Sequence, residues 1–348
     1  MSSIVNSDSF GLDLSDTALR LVQLVKKGKK ISIVSYSEID LPDNTMSNGE
    51  IANEDKLVES ISKLIKNVKG KKITSKDCIA VLPETKTFIQ VITIPSAKDS
   101  EKILENIKEE IKNHIPLSYE EIYLDWQVLE HNNNETKVLI GAAPRDTVDS
   151  YYKAIEKAGL TPNVFEIEAA AIIRCLLDKK DDKAKIIIDF GANRTSLIVI
   201  DKGIPQFTVS LPLSGKNITC TIAKTLKIDT TNAEKAKIIC GLDPKKCDGA
   251  LVKILFSTIS SLAKQVQKTI FFYKSINPAS ADISEVILCG GGANFVGLDK
   301  SLSEKLKIPV RVGNPMIYLN IKPKFNIPQN KILSFVTAIG LNLRIFSK

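Results

Sequence analysis

Apolar and polar positions alternate from residue 9 to 25 (SFGLDLSDTALRLVQLV), on both sides of a short polar turn at Ser15–Thr17. That pattern predicts a strand, a tight turn and a second strand. KKGKK (26–30) predicts another turn, and ISIVSYSEIDL (31–41) a third strand. Leu57, Ile61, Leu64, Ile65 and Val68 give residues 52–68 the face of an amphipathic helix. CIAVLP (78–83) predicts a short buried strand and TKTFIQVITIP (85–95) a half-buried one. Ile103, Leu104, Ile107 and Ile111 place a helix over 96–113, stopped by Pro116. EIYLDWQVLE (121–130) and TKVLIGAAP (136–144) predict strands joined by HNNNE, followed by a helix over 146–158 that ends at Gly159. Because this block restarts the sheet pattern, it predicts a compact insert between two larger halves.

The second half repeats the opening. IEAAAIIRCLL (167–177) predicts a helix rich in small residues, and DKKDDKAK (178–185) a charged boundary. Residues 185–213 then predict three strands, and helices follow at roughly 215–226, 231–239 and 247–276. EVILCGGG (285–292) is a buried strand running into glycines, 296–306 a helix, 321–330 a proline-bearing loop and 331–346 a last helix. GLDLSDTALRLV (11–22) and IDFGANRTSLIV (188–199) share one shape: an apolar strand delivers an Asp, a small polar turn follows and an apolar strand returns. A repeat at half the chain length predicts two similar α/β domains facing one another.

Composition narrows the class. The 348 residues are 43% hydrophobic and 25% charged, which suits a globular chain of two domains that needs no disulfide or metal staple. No run approaches the ~18 apolar residues of a membrane helix, and the N-terminus lacks a basic-then-apolar signal, so a cytoplasmic location is expected. The net charge is +8, but lysines are scattered and only 6% of residues are aromatic, so no nucleic-acid partner is expected. A mild pull toward anionic membranes or acidic partners remains. The six cysteines show no C-x-x-C pair and read as small core residues of a reducing compartment. His114 and His131 are the only histidines, and with no C-x-x-C pair a zinc site or a His-based triad is not expected.

Two opposed hairpins suit a phosphate ligand. Tight turns make concave nests of N–H groups, and an Asp at each strand end can hold Mg²⁺ directly or through water. Gly290, Gly291 and Gly292 follow a buried strand, with Gly297 close behind. One or two glycines satisfy a tight turn; three in a row favour backbone approach to a flat ligand. Neither a G-x-G-x-x-G dinucleotide motif with its downstream acid nor a P-loop fits.

These motifs, in this order, resemble the actin-like nucleotide-binding superfamily. FGLDLSDTALRLVQL, EEIKNHIPLSYEEIYLDWQVL, FEIEAAAIIR, LPLSGKNITCTIAKTL and LCGGGANFVGLDKSLSEKLKIPVRVGNP together resemble the PilM family of type IV pilus assembly, relatives of the division protein FtsA. The segment 104–130 resembles the inserted subdomain shared by those two. The resemblance implies an α/β, actin-like two-domain ATPase fold with a small inserted α+β subdomain. Its parts would be a first domain over 1–84, the insert over 85–145, the first domain continued over 146–178, a second domain over 179–322, and a C-terminal helix over 323–348 returning to the first domain.

The same resemblance implies ATP and Mg²⁺ as ligands. Asp13 with Leu14, Ser15, Asp16 and Thr17 would form the first phosphate turn, and Asp189 with Gly191, Ala192, Asn193 and Thr195 the second. Asp13 and Asp189 would hold Mg²⁺, in part through water. Gly291, Gly292 and Ala293 would lie beside ribose and adenine. Gly215 and Asn217 would flank the phosphates, where a helix start supplies free N–H groups. Glu234 and Lys237 would reach the ribose and purine edge; an exposed i,i+3 ion pair is the alternative. The family usually has Gly, then Ser or Thr, where Ser15 and Asp16 stand, and Lys where Arg20 stands. Asp16 near a polyphosphate would cost a few kcal/mol at ~5 Å unless Mg²⁺ bridges it or its side chain turns away.

The implied role is an ATP-binding scaffold of a pilus, or related type II secretion, inner-membrane platform, with ATP hydrolysis weak or absent. It would sit in the cytoplasm at the inner face of the membrane, reached only indirectly. It would dock the cytoplasmic N-terminal tail of a PilN-like membrane protein, alongside other platform proteins. Residues 85–95 and the helix over 99–113 are the expected groove walls. The chain ends right after its last helix, so attachment through a partner is expected. An FtsA-like filament former is the alternative, and a small-molecule kinase a remoter one.

Overall fold

The structure, a computed structural model, describes residues 6–178, 180–319 and 327–347. Most of the proline-bearing loop expected at 321–330 lies outside the described residues. The first half contains β1 (Phe10–Leu14), β2 (Ala18–Lys27), β3 (Lys30–Asp40), a small hairpin of β4 (Met46–Ser47) and β5 (Glu50–Ile51), and α1 (Glu54–Lys66). There follow β6 (Lys69–Gly70), β7 (Asp77–Leu82), β8 (Phe88–Pro95), α2 (Ser100–Ile111), β9 (Ile122–His131), β10 (Glu135–Pro144), α3 (Arg145–Lys157), β11 (Thr161–Ile167) and α4 (Glu168–Leu176). The second half contains β12 (Lys185–Phe190), β13 (Thr195–Asp201), β14 (Ile204–Leu211), α5 (Gly215–Leu226), α6 (Thr230–Cys240), α7 (Ala250–Ile276), β15 (Glu285–Cys289), α8 (Leu298–Leu306), β16 (Val310–Val312) and α9 (Val336–Leu343).

Two sheets carry the fold. One runs β11-β7-β1-β2-β3-β6 and the other β16-β15-β12-β13-β14-β8-β10-β9. The first covers one face with α1 and α3: Leu57, Ile61, Tyr151 and Ile155 pack on Phe10, Leu12 and Leu21. The helices α4 and α9 lie against each other, and both pack with members of the two sheets' cores. Their approach demands glycine: a Cβ on Gly340 would lie 1.9 Å from the Ala171 carbonyl oxygen, and one on Gly11 2.3 Å from that of Ala338. Asn342 pins α9 to the first sheet, donating to Ser9 O at 2.8 Å and accepting from Leu24 N–H at 2.6 Å.

Four features differ from the sequence reading. The insert's strands do not stand alone, because β8 pairs with β14 at Gln90–Phe207 and extends the second sheet. β11, unassigned from sequence, pairs parallel with β7; Thr161, Pro162 and Asn163 hide its strand pattern. The last helix is shorter than 331–346, with 3₁₀ turns on either side of α9. Cys240 and Cys247 form a disulfide, where six free core cysteines were expected. The intervening turn brings their Cα atoms to 5.8 Å, a closeness that no C-x-x-C count reveals. Of the other four, Cys220 is exposed.

Candidate functional site

The two acidic turns meet. Asp13 closes β1 opposite Arg20 on β2, and Asp189 lies near the end of β12 opposite Ser196 on β13. Both aspartates line one crevice of about 140 Å³. Ser15, Asp16, Thr17 and Arg20 form its first wall and Gly191, Ala192, Asn193 and Arg194 its second, with Glu168, Gly290, Gly291, Ser334 and Thr337 completing it. Leu14 lines a small extension beside Val81 and Pro83.

The two halves are tied across this crevice. Arg194 lies 3.2 Å from Glu168 at the start of α4 and 3.8 Å from Glu84 after β7. One Glu84 carboxylate oxygen is buried without a hydrogen bond. Asn193 donates to Asp16 at 3.5 Å. The other Asp16 oxygen accepts from Gly49 N–H at 2.9 Å, which partly diverts its charge from the crevice. The Ser15 hydroxyl also turns back, donating to Ala18 O at 2.9 Å. Arg20 bridges Asp13 at 3.7 Å and Glu38 at 3.0 Å.

Burial dominates the electrostatics. It lifts Asp13 to about 7 against the pull of Arg20, Glu168 to about 7 against Arg194, and Asp189 to about 6 against Arg194. Burial also works against the Arg194 charge, but Glu168, Glu84, Asp16 and Asp189 outweigh it and raise its pKa. Near neutral pH the crevice therefore shares protons among its carboxylates, and a cation would displace them. Among the described residues no group of three or more candidate ligands is arranged to hold a metal ion. This donor set fits Mg²⁺ held partly by water and phosphate rather than in a closed protein cage.

The expected adenosine side is different. Gly215 and Asn217 do not line the crevice, and the first turn of α5 has no backbone N–H to spare. Gly215 N–H donates to Gly191 O and Lys216 N–H to Ala192 O, both at 3.0 Å, while Asn217 N–H donates to the Ser214 cap. Thr195 is buried, its hydroxyl donating to Leu213 O at 2.8 Å. Lys237 lies 2.7 Å from Glu234, but the pair is no free surface bridge: Lys237 also donates to Gly215 O at 3.2 Å and Thr219 Oγ1 at 2.9 Å. Gly292 and Ala293 sit away from the crevice. A Cβ on Gly292 would lie 1.7 Å from the Phe190 ring, and one on Gly290 2.3 Å from Asp189 Oδ1. Two of the three glycines thus answer to packing, and Gly291 alone keeps a looser neighbour, Ser334 Oγ at 3.2 Å. Sequence reading did not mark Glu168, Ser334 or Thr337, which reach the crevice from segments without a phosphate motif, nor Glu84, which pairs with Arg194.

A second site lies on the insert. A groove of about 640 Å³ runs between β9–β10 and β11, lined by Tyr123, Gln127, Leu139, Val148, Phe165 and Ile167 among others. β9 ends one sheet and β11 ends the other, so two sheet edges flank it. The expected walls need correction. Ile89 of β8 contributes, but α2 does not: Ile103, Ile107 and Ile111 pack with Val138 and Ile140, whereas Leu139 and Gly141, pointing the other way on β10, line the groove. Glu166 lines the groove with Arg344 at 2.8 Å, two residues before Glu168 in the crevice.

Comparisons with known proteins bear on the family and the fold. The family profile described as type IV pilus assembly protein PilM matches residues 11–346. The chain is 22% identical to the cell division protein FtsA of Borreliella burgdorferi, over 60% of this chain and 54% of that protein, so it spans about half the length of that curated relative. A solved PilM–PilN type IV pilus biogenesis complex contains a chain of the same fold, at TM-score 0.81 and 22% identity over 98% of this chain and 99% of that one. MreB5 of Spiroplasma citri, solved bound to ADP, shares the fold at TM-score 0.55 and 11% identity, over 99% of this chain and 100% of that one.

Proposed function

Because the chain belongs to the PilM family of type IV pilus assembly proteins, we propose that it is an ATP-binding scaffold docking the cytoplasmic N-terminal tail of a PilN-like membrane protein. The docking would place it at the inner face of the cytoplasmic membrane, where other platform proteins assemble. The carrying observation is the apolar groove between β9–β10 and β11. An extended tail lying there gains main-chain hydrogen bonds from an exposed edge and pockets for alternate side chains. The solved relative's pairing with PilN supports the same reading.

The crevice supplies the nucleotide half of the proposal. Asp13 and Asp189 would hold Mg²⁺ through water, and Arg20 and Arg194 would meet phosphate. Bound Mg²⁺ would supply charge neutralisation between carboxylates and polyphosphate. At about 140 Å³ the crevice is smaller than the ~300 Å³ usual for a ligand pocket. Nucleotide entry therefore requires the Arg194 and Asn193 ties to open, and phosphate would compete with Glu84 and Glu168 for Arg194. The helix starts and the Glu234–Lys237 pair, fully engaged within the protein, are left out of the closed site.

One pair of titrations tests both halves. A fluorescently labelled synthetic partner-tail peptide should bind saturably, read by its anisotropy. ATP with Mg²⁺ should raise the thermal midpoint, and Asp189→Ala should abolish that shift. No response to either ligand at millimolar concentration would overturn the reading.

A further inference from the structure

α7 is the longest helix among the described residues, and across its 27 residues it carries Lys253, Lys264, Lys268 and Lys274 but no Asp or Glu. At 1.5 Å per residue it is a rod of about 40 Å. Its buried face holds Leu255, Ile259, Leu262, Val266 and Tyr273 in the second domain's core. Its outer face breaks the usual rule for such helices. Phe271 is 76% exposed, Phe256 62%, Phe272 48% and Ile276 47%. Lys253, Lys264 and Phe271 fall on one stripe at ~100° per residue, with Lys268 beside it.

The charges on this face are unspent. Lys253, Lys264 and Lys268 have no ion pair among the described residues, whereas on α2 Lys102 and Lys112 are bonded to Glu105 and Glu109. Lys274 is the exception on α7, paired with Asp282 at 2.8 Å. Lys305 adds another cation to the face, stacked 4.2 Å over the Phe256 ring and donating to Ser260. A row of free ammonium groups interleaved with exposed phenylalanines complements a surface that is anionic and apolar just beneath.

We propose that the exposed face of α7 rests on an anionic lipid surface, with Lys253, Lys264 and Lys268 at the headgroups and Phe271 dipping into the interface. An acidic protein would satisfy the lysines but gives no reason for the solvent-facing phenylalanines. A second copy of this chain would set like charges against each other. The contact is peripheral: no helix among the described residues is long and apolar enough to cross a membrane. It is independent of the crevice and the groove, so it stands or falls apart from the proposed nucleotide and tail binding.

Flotation of the full chain with phosphatidylglycerol–phosphatidylcholine vesicles tests it. Binding is expected to the mixed vesicles at low salt, to fall at high salt and to be absent with phosphatidylcholine alone. Each lysine near such a surface is worth roughly fivefold in affinity, so Lys264→Glu/Lys268→Glu should weaken binding by at least ~25-fold. Phe271→Ser should remove binding that survives added salt. These positions are exposed, and an unchanged thermal midpoint would verify folding. Lys29→Glu/Lys30→Glu, with the same charge change at the β2–β3 turn, should bind nearly as wild type. Equal loss in that control would reduce the effect to net charge and overturn the proposal. So would wild-type protein that ignores anionic vesicles, including one retained on an acidic protein instead.

Discussion

The crevice and the groove are built on opposite plans. The crevice is small and polar, and ion pairs across it hold it closed; the groove is more than four times larger, mostly apolar and already open. A ligand of the crevice must replace the carboxylates that now hold Arg194, so part of its binding energy goes into opening the site. A ligand of the groove meets preformed edges and has little to displace. The two sites touch at one junction, where Glu166 faces the groove and Glu168 the crevice. Near neighbours in sequence thus face a closed crevice on one side and an open groove on the other.

Removing the gate has the largest expected effect. Arg194→Met leaves Glu84 and Glu168 without their cation in a buried setting. Unpairing buried charge costs several kcal/mol; because Glu168 can take up a proton, a loss of about 2–4 kcal/mol is expected, lowering the thermal midpoint by roughly 3–6 °C. Glu168→Gln added to that variant should recover part of the loss, since one of the two stranded carboxylates is then neutral. Denaturant titration of both variants checks this. Peptide affinity in Arg194→Met should stay within about twofold of wild type; a larger change would show the junction carrying coupling between the sites.

The reciprocal break comes next. Val148 lies on α3, half exposed, and lines the groove. Val148→Glu puts a charge against an apolar ligand face and should weaken tail-peptide binding by about 2 kcal/mol, or ~30-fold. The ATP-induced midpoint shift should not change. Labelled-peptide anisotropy and thermal denaturation read the two arms.

How much of this contrast the sequence exposes depends on how each site is made. The acidic turns are local, so Asp13 and Asp189 could be paired by shape alone, and they do share a crevice. Glu168 reaches it, and Glu84 reaches Arg194 beside it, from helix and strand ends that carry no motif. Gly290 and Gly292 look like ligand contacts in sequence, but the Asp189 carboxylate and the Phe190 ring leave room for nothing larger. The α5 start looks like an anion site, but the neighbouring turn consumes its donors. The groove is a product of topology: it exists because β9 and β11 end different sheets, and β11 itself has no readable alternation. Chain order predicts an insert, but only the Phe207–Gln90 pairing shows that the insert belongs to the second sheet.

Acidity offers a smaller lever that acts on the crevice alone. Asp13 is raised to about 7 and Asp189 to about 6 from ordinary values near 4. Between pH 4 and the raised values the folded protein binds more protons than the unfolded chain, so stability falls as pH rises. Each group contributes on the order of 1 kcal/mol per pH unit in that window. Asp13→Asn should flatten the decline between pH 5 and 6, measured by urea unfolding at each pH. Mg²⁺ with nucleotide favours the ionised carboxylates and should reduce the decline in wild-type protein. Groove variants should keep the wild-type slope.

The smallest expected effect separates two neighbours in one turn. Asn193 reaches Asp16 across the crevice at 3.5 Å, the outer limit of a hydrogen bond, and both side chains have access to water. Asn193→Ala should therefore change stability by no more than about 0.5 kcal/mol, against several for Arg194 in the next position. If the crevice is held closed by charge, this variant keeps the wild-type ATP response. A response to ATP at markedly lower concentration in Asn193→Ala would mean that the neutral tie carries the gate, and that the Arg194 carboxylate pairs serve stability alone.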